Sequence, residues 1–345
     1  MKAAFLTGVR DVTIRDAPEP GPPGPADVLL RVEVVGVCGS DMHYYKTGRI
    51  GEQVVEYPWI VGHECAAVVE EVGSEVEGLA VGQRVAVDPL MYCGHCDQCR
   101  LGHVHTCRNQ RFLGCPGQSP GALTERIVMP ASSCFPIPES MTMIQATLAE
   151  PFSISLWASR LGAAPEGAKI AILGSGPIGL GVLAALKDAG KCTVYQTDLL
   201  DNRLGVARRL GADWTANAAT SDVVAEVLAA EPDGLDVVFE CAGEQETLDQ
   251  ALDLLTPCGK LAIVGIHQVD RISFNPNRIR RKELRITGVR RQLECIAAAV
   301  EMIAAARVNL DALVTHEFTL AETKAAFDMV ADYRDHVVKA IIHVR

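Results

Sequence analysis

Three groups of residues in this sequence have the types and spacing to do chemistry. The first is Cys93-x-x-Cys96-x-x-Cys99 followed by Cys107, four thiols within 15 residues. Four thiolates can close a tetrahedral site around zinc, and a site so closed keeps no open position for a substrate. This centre is therefore expected to be structural. An iron–sulfur cluster is the competing use of four cysteines, and zinc is the favoured one. The segment also carries Gly94, His95, Gly102, His103 and His105. It reads as a loop with little core of its own and solvated histidines.

The second group is dispersed: Cys38 just after a strand, the pair His63-Glu64, and Glu150 before a proline. Singly each is ordinary, since a lone cysteine is usually a small core residue. Together, ahead of a dinucleotide fold, they read as ligands of a second metal.

The third group is Gly174-Ser175-Gly176-Pro177-Ile178-Gly179, which follows an expected strand and opens an expected helix. That context gives the fingerprint its weight. Gly174 makes the tight turn, Gly176 lets the backbone approach a pyrophosphate, and Gly179 lets helix and strand pack closely. The pyrophosphate sits on free N–H groups at the positive end of the helix. Pro177 fits the first helical turn, where its missing N–H had no partner. Asp198 follows the next strand, 19 residues after Gly179. A carboxylate there accepts the adenosine ribose hydroxyls and repels a 2′-phosphate, so NAD is expected over NADP. Arg203 has three readings: receptor for a 2′-phosphate, lid over the adenine, or solvated helix residue.

The elements that must position these groups differ along the chain. Up to about residue 150 the pattern is short β runs divided by Gly and Pro: Val28–Val35, Ala66–Val72 and Gln83–Val87. From about residue 169 strands alternate with helices. Strands are expected at 169–173, 193–197, 235–240, 260–264 and 284–287, and helices at 177–189, 201–210 and 245–255. Such alternation implies a parallel sheet covered on both faces. An Ala-rich helix at 296–306, either a core or a contact helix, precedes a final strand at 337–344.

With 345 residues, and roughly 150 per domain, two domains are expected. The chain is 48% hydrophobic and 22% charged, as soluble globular proteins are. Its formal net charge of −11 argues against nucleic acid, which needs a Lys/Arg surplus on at least one face. No run of about 18 uninterrupted apolar residues suggests a membrane span, and the first residues lack a secretory apolar core. Twelve cysteines in a long chain without such a leader suit metal binding in a reducing, cytoplasmic compartment better than disulfides.

The run Gly36-Val37-Cys38-Gly39-Ser40-Asp41-Met42-His43-Tyr44, with Gly62-His63-Glu64 and Leu148-Ala149-Glu150-Pro151, resembles the zinc-containing medium-chain dehydrogenases. Within them it is similar to the polyol branch that includes sorbitol and xylitol dehydrogenases. The resemblance covers essentially the whole chain. It implies an α/β protein with a GroES-like β-rich catalytic domain from both chain ends (1–152 and 290–345, with a zinc lobe at 91–110). Between them lies a six-stranded parallel Rossmann domain for NAD (153–289). It implies two Zn²⁺ per chain, one catalytic and one structural, a small alcohol or polyol substrate, and a homotetramer or dimer.

The resemblance also assigns roles. Cys38, His63 and either Glu64 or Glu150 would surround the catalytic zinc, and Asp41 would accept the second ring N–H of His63. Zinc would make a substrate hydroxyl acidic near neutrality, and hydride would pass to C4 of the nicotinamide. Ser40 would take the proton and His43 pass it to solvent, although a structural or ribose-contacting His43 is equally compatible. Tyr44 resembles a substrate-pocket residue. Arg291 resembles an arginine that reaches substrate and cofactor, against the alternative of a surface salt bridge. Arg290 and Gln292 stand where sorbitol dehydrogenase has aromatic residues, and Ala67 stands where the family has glycine. The identity of the alcohol stays open. Threonine or simple alcohol oxidation shares the ligand set, and a non-catalytic nucleotide-binding relative would usually lack it.

Overall fold

Leu29, Leu30 and four valines between Asp27 and Gly36 form a ten-residue strand, most of whose residues are buried. Such β-branched runs suit a pleated surface covered by neighbours. The computed structural model describes residues 1–190 and 192–345. In it this strand is the hub of an antiparallel-dominated sheet of seven strands. One neighbour is Glu64–Val72, which sets Gly36 opposite Glu64. Another is the strand near the C-terminus, Lys339–His343, which sets Gly36 opposite Ile341. Arg126–Pro130 pairs with its first half. Beyond Glu64–Val72 come Arg84–Val87 and Cys134–Pro136, and beyond Lys339–His343 lies Val314–Thr319. Irregularities at Leu29/Leu30 and Val32/Val34 mark bulges in the hub strand.

This sheet belongs to the first of two units, comprising Met1–Glu150, Ile296–Ala306 and Val314–Arg345. Its core includes Val28, Leu30, Val32, Val35, Tyr45, Phe327 and Ile342. Burying aliphatic side chains of this size contributes about 1.5–3 kcal/mol each, before conformational entropy is set against it.

The second unit comprises Pro151–Cys295 and Arg307–Leu313. Six parallel strands run in the order Trp214–Asn217, Thr193–Asp198, Lys169–Leu173, Leu235–Glu240, Leu255–Ile263, Arg285–Gly288. Numbered along the chain this order is 3-2-1-4-5-6, the doubly wound arrangement. The α/β class, the β-rich part and the six-stranded parallel sheet accord with the sequence expectation.

The sequence pattern missed several helices. Met143–Gly162 forms one 20-residue helix with Pro151 in its interior. Proline removes one helical hydrogen bond and usually argues against such a helix. Val223–Ala230, Pro276–Lys282 and Thr323–Ala331 are also helical. The expected strand at 260–264 begins earlier, at Leu255. It passes through Cys258, which has φ 62°, with a register irregularity between Leu235 and Val237.

Candidate metal centres and dinucleotide turn

Cys38 ends the chain's exit from the hub strand and stands at the N-cap of the helix Gly39–Thr47. Its backbone N–H donates to Asp41 Oδ2 at 3.1 Å, which satisfies one of the free donors at a helix start. The other Asp41 oxygen accepts the Gly62 N–H at 3.3 Å and lies 3.6 Å from His63 Nδ1. That last distance is ion-pair range and longer than a hydrogen bond. One buried carboxylate thus ties the Cys38 loop to the His63 loop.

Gly62 and the tight packing around it make this possible. Gly62 has φ 92°, a left-handed conformation that suits residues without Cβ. Gly114 packs against its backbone, where a Cβ would come within 2.8 Å of the Gly62 carbonyl oxygen. The His63 ring lies against Phe112, with centroids 5.3 Å apart.

The result is a ligand triad. One donor atom each from Cys38, His63 and Glu64 lie within 4.8 Å of one another. His63 and Glu64 are buried and Cys38 is half-buried. Burial works against a charged His63, but Cys38 and Asp41 together raise its pKa well above the ordinary value. A thiolate, an imidazole and a carboxylate match the three protein ligands of a catalytic zinc site.

Glu150 adjoins the triad but is not among its three converging donors. Burial pushes its carboxyl up to about 8, and Glu64 and Asp88 push the same way, while His63 and Lys339 oppose them. Lys339 escaped the sequence reading. It is 2% exposed, and its ammonium forms an ion pair with Glu64 and donates to the Val37 carbonyl oxygen at 3.1 Å. The available signal was a single lysine in the otherwise apolar run Val337–Ile342.

Ser40 and His43 are half-buried on the Gly39–Thr47 helix. Burial, and secondarily Lys46, lowers the pKa of His43. Tyr44 is buried; its hydroxyl donates to Gln53 Oε1 at 3.2 Å and lies 3.8 Å from the Cys115 sulfur.

The four lobe cysteines also converge. Cys93–Cys107 and Cys96–Cys99 sulfurs are 3.5 Å apart, Cys96–Cys107 3.9 Å and Cys93–Cys99 4.0 Å. A tetrahedron with Zn–S bonds of about 2.3 Å has S···S edges of about 3.8 Å, so the donor set fits zinc. Backbone N–H groups of His95 and Cys96 point at Cys93 and hold its thiol down to about 6, favouring the thiolate that binds metal. A short ladder, Arg111 with Met91 and Phe112 with Leu90, closes the lobe.

In the second unit Gly174 has φ 105°, and a Cβ there would meet the Ala242 amide nitrogen at 2.9 Å. A Cβ at Gly179 would collide with the Gly174 carbonyl oxygen. At Gly176 nothing closer than Arg203 Nη1, 4.0 Å away, faces that position. Gly176 caps the helix Pro177–Ala189, with Pro177 in the first turn and half-buried Ile178 next to it. Asp198 Oδ2 accepts the Ser175 N–H at 2.7 Å and Oδ1 the Leu200 N–H at 2.9 Å. Arg203 Nη1 is 3.9 Å from Oδ2. Turn, acidic residue and arginine therefore meet at the carboxyl end of the first strand, beside the switch point of the sheet. Arg291, further along the same unit, is half-buried with φ 48°.

Among the described residues, no helix is long and apolar enough to cross a membrane.

The chain is similar to known proteins along most of its length. Residues 24–139 match the alcohol dehydrogenase GroES-like domain and residues 177–305 the zinc-binding dehydrogenase domain. The chain is 37% identical to sorbitol dehydrogenase of Bacillus subtilis over 344 residues, covering 99% of this chain and 97% of that one. It is 34% identical to L-idonate 5-dehydrogenase of Vitis vinifera, covering 93% and 88%. Among solved structures, an Escherichia coli CFT073 enzyme described as a short chain alcohol dehydrogenase, complexed with NADH, superimposes with a TM-score of 0.91. Its sequence identity is 28%, over 99% of each chain. The chain belongs to the zinc-dependent medium-chain alcohol dehydrogenase family, among its polyol dehydrogenases.

Proposed function

We propose that this protein oxidises a secondary alcohol of a polyol with NAD, holding a catalytic zinc at Cys38, His63 and Glu64 and a structural zinc at Cys93, Cys96, Cys99 and Cys107. The observation that carries this reading is the convergence of a thiolate, an imidazole and a carboxylate within 4.8 Å, in a chain that also bears the dinucleotide turn. Zinc in that triad supplies the Lewis acidity that brings a hydroxyl pKa down toward neutrality.

The chain's own residues do the rest. Asp41 holds the two ligand loops in register. Ser40, two residues from Cys38, receives the substrate proton. His43, kept neutral by burial, can take it on and release it to water. Tyr44 lines the substrate pocket, and Glu150 supports the centre as a nearby carboxylate. The unit of Met1–Glu150, Ile296–Ala306 and Val314–Arg345 acts as the catalytic domain, in place of the expected 1–152 and 290–345, and the unit of Pro151–Cys295 and Arg307–Leu313 as the NAD domain, in place of 153–289. Gly174, Gly176, Pro177, Ile178 and Gly179 seat the pyrophosphate, and Asp198 the adenosine ribose. Arg203 covers the adenosine, and Arg291 serves substrate and cofactor. A cytoplasmic homotetramer or dimer completes the proposal.

The test is a substrate screen that follows NADH absorbance with sugar alcohols, threonine and short alcohols. Sugar alcohols are expected to give the highest kcat/KM. Preference for threonine would move the assignment to that branch. No turnover with any alcohol by metal-replete protein would remove the catalytic reading.

A further inference from the structure

Lys339 has no place in the chemistry above, yet it is among the largest fully buried side chains of the protein. It reaches its position through two strand pairings. Gly36 of the hub strand faces Glu64 on one side and Ile341 on the other, so the strand bearing Lys339 flanks the ligand strand across one residue without a side chain. A Cβ at Gly36 would fall within the Glu64 carboxylate and 3.1 Å from Lys339 Cε. The space is therefore reserved for an ion pair. The ammonium spends one donor on the Val37 carbonyl oxygen and contacts Glu64 Oε2. Glu64 is at the same time the carboxylate of the ligand triad.

A buried ammonium beside a dication is electrostatically unfavourable unless an anion stands between them. Glu64 is that anion. Its two oxygens let one carboxylate serve both cations, and every part of its charge drawn to Lys339 is lost to the metal. We propose that Lys339 is a positioning residue for the metal centre: it fixes Glu64 between ammonium and metal and weakens Glu64 as a ligand, so that the metal keeps a readily exchanged coordination position. The proposal rests on the metal-site reading of Cys38, His63 and Glu64.

The experiment uses full-length zinc-loaded protein and measures zinc release to excess chelator with a zinc-sensitive dye. The phase belonging to this centre is the one absent from Cys38→Ser. Partners one shell out from a metal typically shift its affinity about 10–100-fold. Lys339→Met should therefore release zinc about tenfold more slowly than wild type. Lys339→Arg, which keeps the charge, should stay within about threefold of it. In a Glu64→Gln background Lys339→Met should leave the rate unchanged, because the lysine acts through that carboxylate. Unchanged or faster release from Lys339→Met would overturn the proposal, faster release marking a purely structural role. Slowing that persists in Glu64→Gln would equally overturn action through Glu64. If Lys339→Met lacks a cooperative melt, Lys339→Gln, which retains a donor for Val37, carries the same comparison. A wild type without the Cys38-dependent phase would sink the metal-site reading itself and the role of Lys339 with it.

Discussion

Asp41 Oδ1 lies 3.6 Å from His63 Nδ1, while the two oxygens of the same carboxylate accept the Gly62 and Cys38 N–H groups. Asp41 thereby links two candidate ligands that are 25 residues apart in sequence. Asp41→Asn is expected to weaken zinc binding at this centre by about tenfold or more. Chelator competition measures the change, and an affinity equal to wild type would show that the link is not functional.

Metal uptake should release a proton. Cys38 and Asp41 raise the His63 pKa despite its burial, so a metal-free site holds a proton that a zinc ion must displace. Apparent affinity is expected to rise with pH. Titration calorimetry in two buffers of different ionisation enthalpy should give different apparent heats. Equal heats in both would mean that His63 is already neutral.

The lobe should behave as an independent structural centre. Cys96→Ser is expected to lower the metal content from about two zinc per chain to about one, as loss of one closed site requires. Residues 91–110 should become sensitive to limited proteolysis, while the Cys38-dependent zinc-release phase remains. Loss of both metals together would show that the two centres are not separable.

Cofactor choice should turn on Asp198. Hydrogen bonds to a charged group contribute about 1.5–3 kcal/mol, so Asp198→Ala should lower kcat/KM for NAD by about 10–100-fold. The loss with NADP should be smaller, because the repelling carboxylate is gone and Arg203 remains 3.9 Å from that place. Steady-state kinetics with both cofactors decides it; an equal loss for the two would mean that Asp198 only braces the turn through Ser175 and Leu200.

Tyr45 and Asp328 give stability a pH window. Burial and the hydrogen bond to Asp328 push the Tyr45 hydroxyl up to about 12. Partial burial works against the Asp328 carboxylate, but Lys324 and Tyr45 hold its pKa below the ordinary value. The raised tyrosine contributes stability below about pH 10 that is lost as pH rises through about 12. The lowered carboxylate contributes above about pH 4 and loses it as pH falls further. The hydrogen bond is 2.7 Å, so Tyr45→Phe should cost about 1 kcal/mol at pH 7 and less at pH 3. Urea midpoints at the two values test this.

The dinucleotide half was legible because its strands are short apolar runs stopped by glycine. Lys169–Leu173 and Leu235–Glu240 have the expected bounds, and Thr193–Asp198 differs by one residue. The Met143–Gly162 helix was hidden by Pro151, whose lost hydrogen bond is tolerated inside a buried helix but reads as a break in sequence. The four cysteines announced themselves by local spacing. Cys38 and the pair His63-Glu64 could be joined only by reading them together ahead of a dinucleotide fold and through the family resemblance, because nothing local says that two loops meet. Lys339 was out of reach for the same reason in stronger form. Its partner Glu64 is 275 positions away, and their contact depends on both flanking strands choosing Gly36 as the place to pair.

The hub strand finds a neighbour in residues 339–343, so the ion-pair partner of Glu64 leaves the ribosome only after both candidate ligand loops have been made. Until then the carboxylate lacks that ammonium, and the ligand loops lie on a sheet with one side open. The full surroundings of the Cys38–His63–Glu64 centre thus need a residue 275 positions beyond Glu64, whereas the Cys93–Cys107 lobe holds all its thiols within one short stretch.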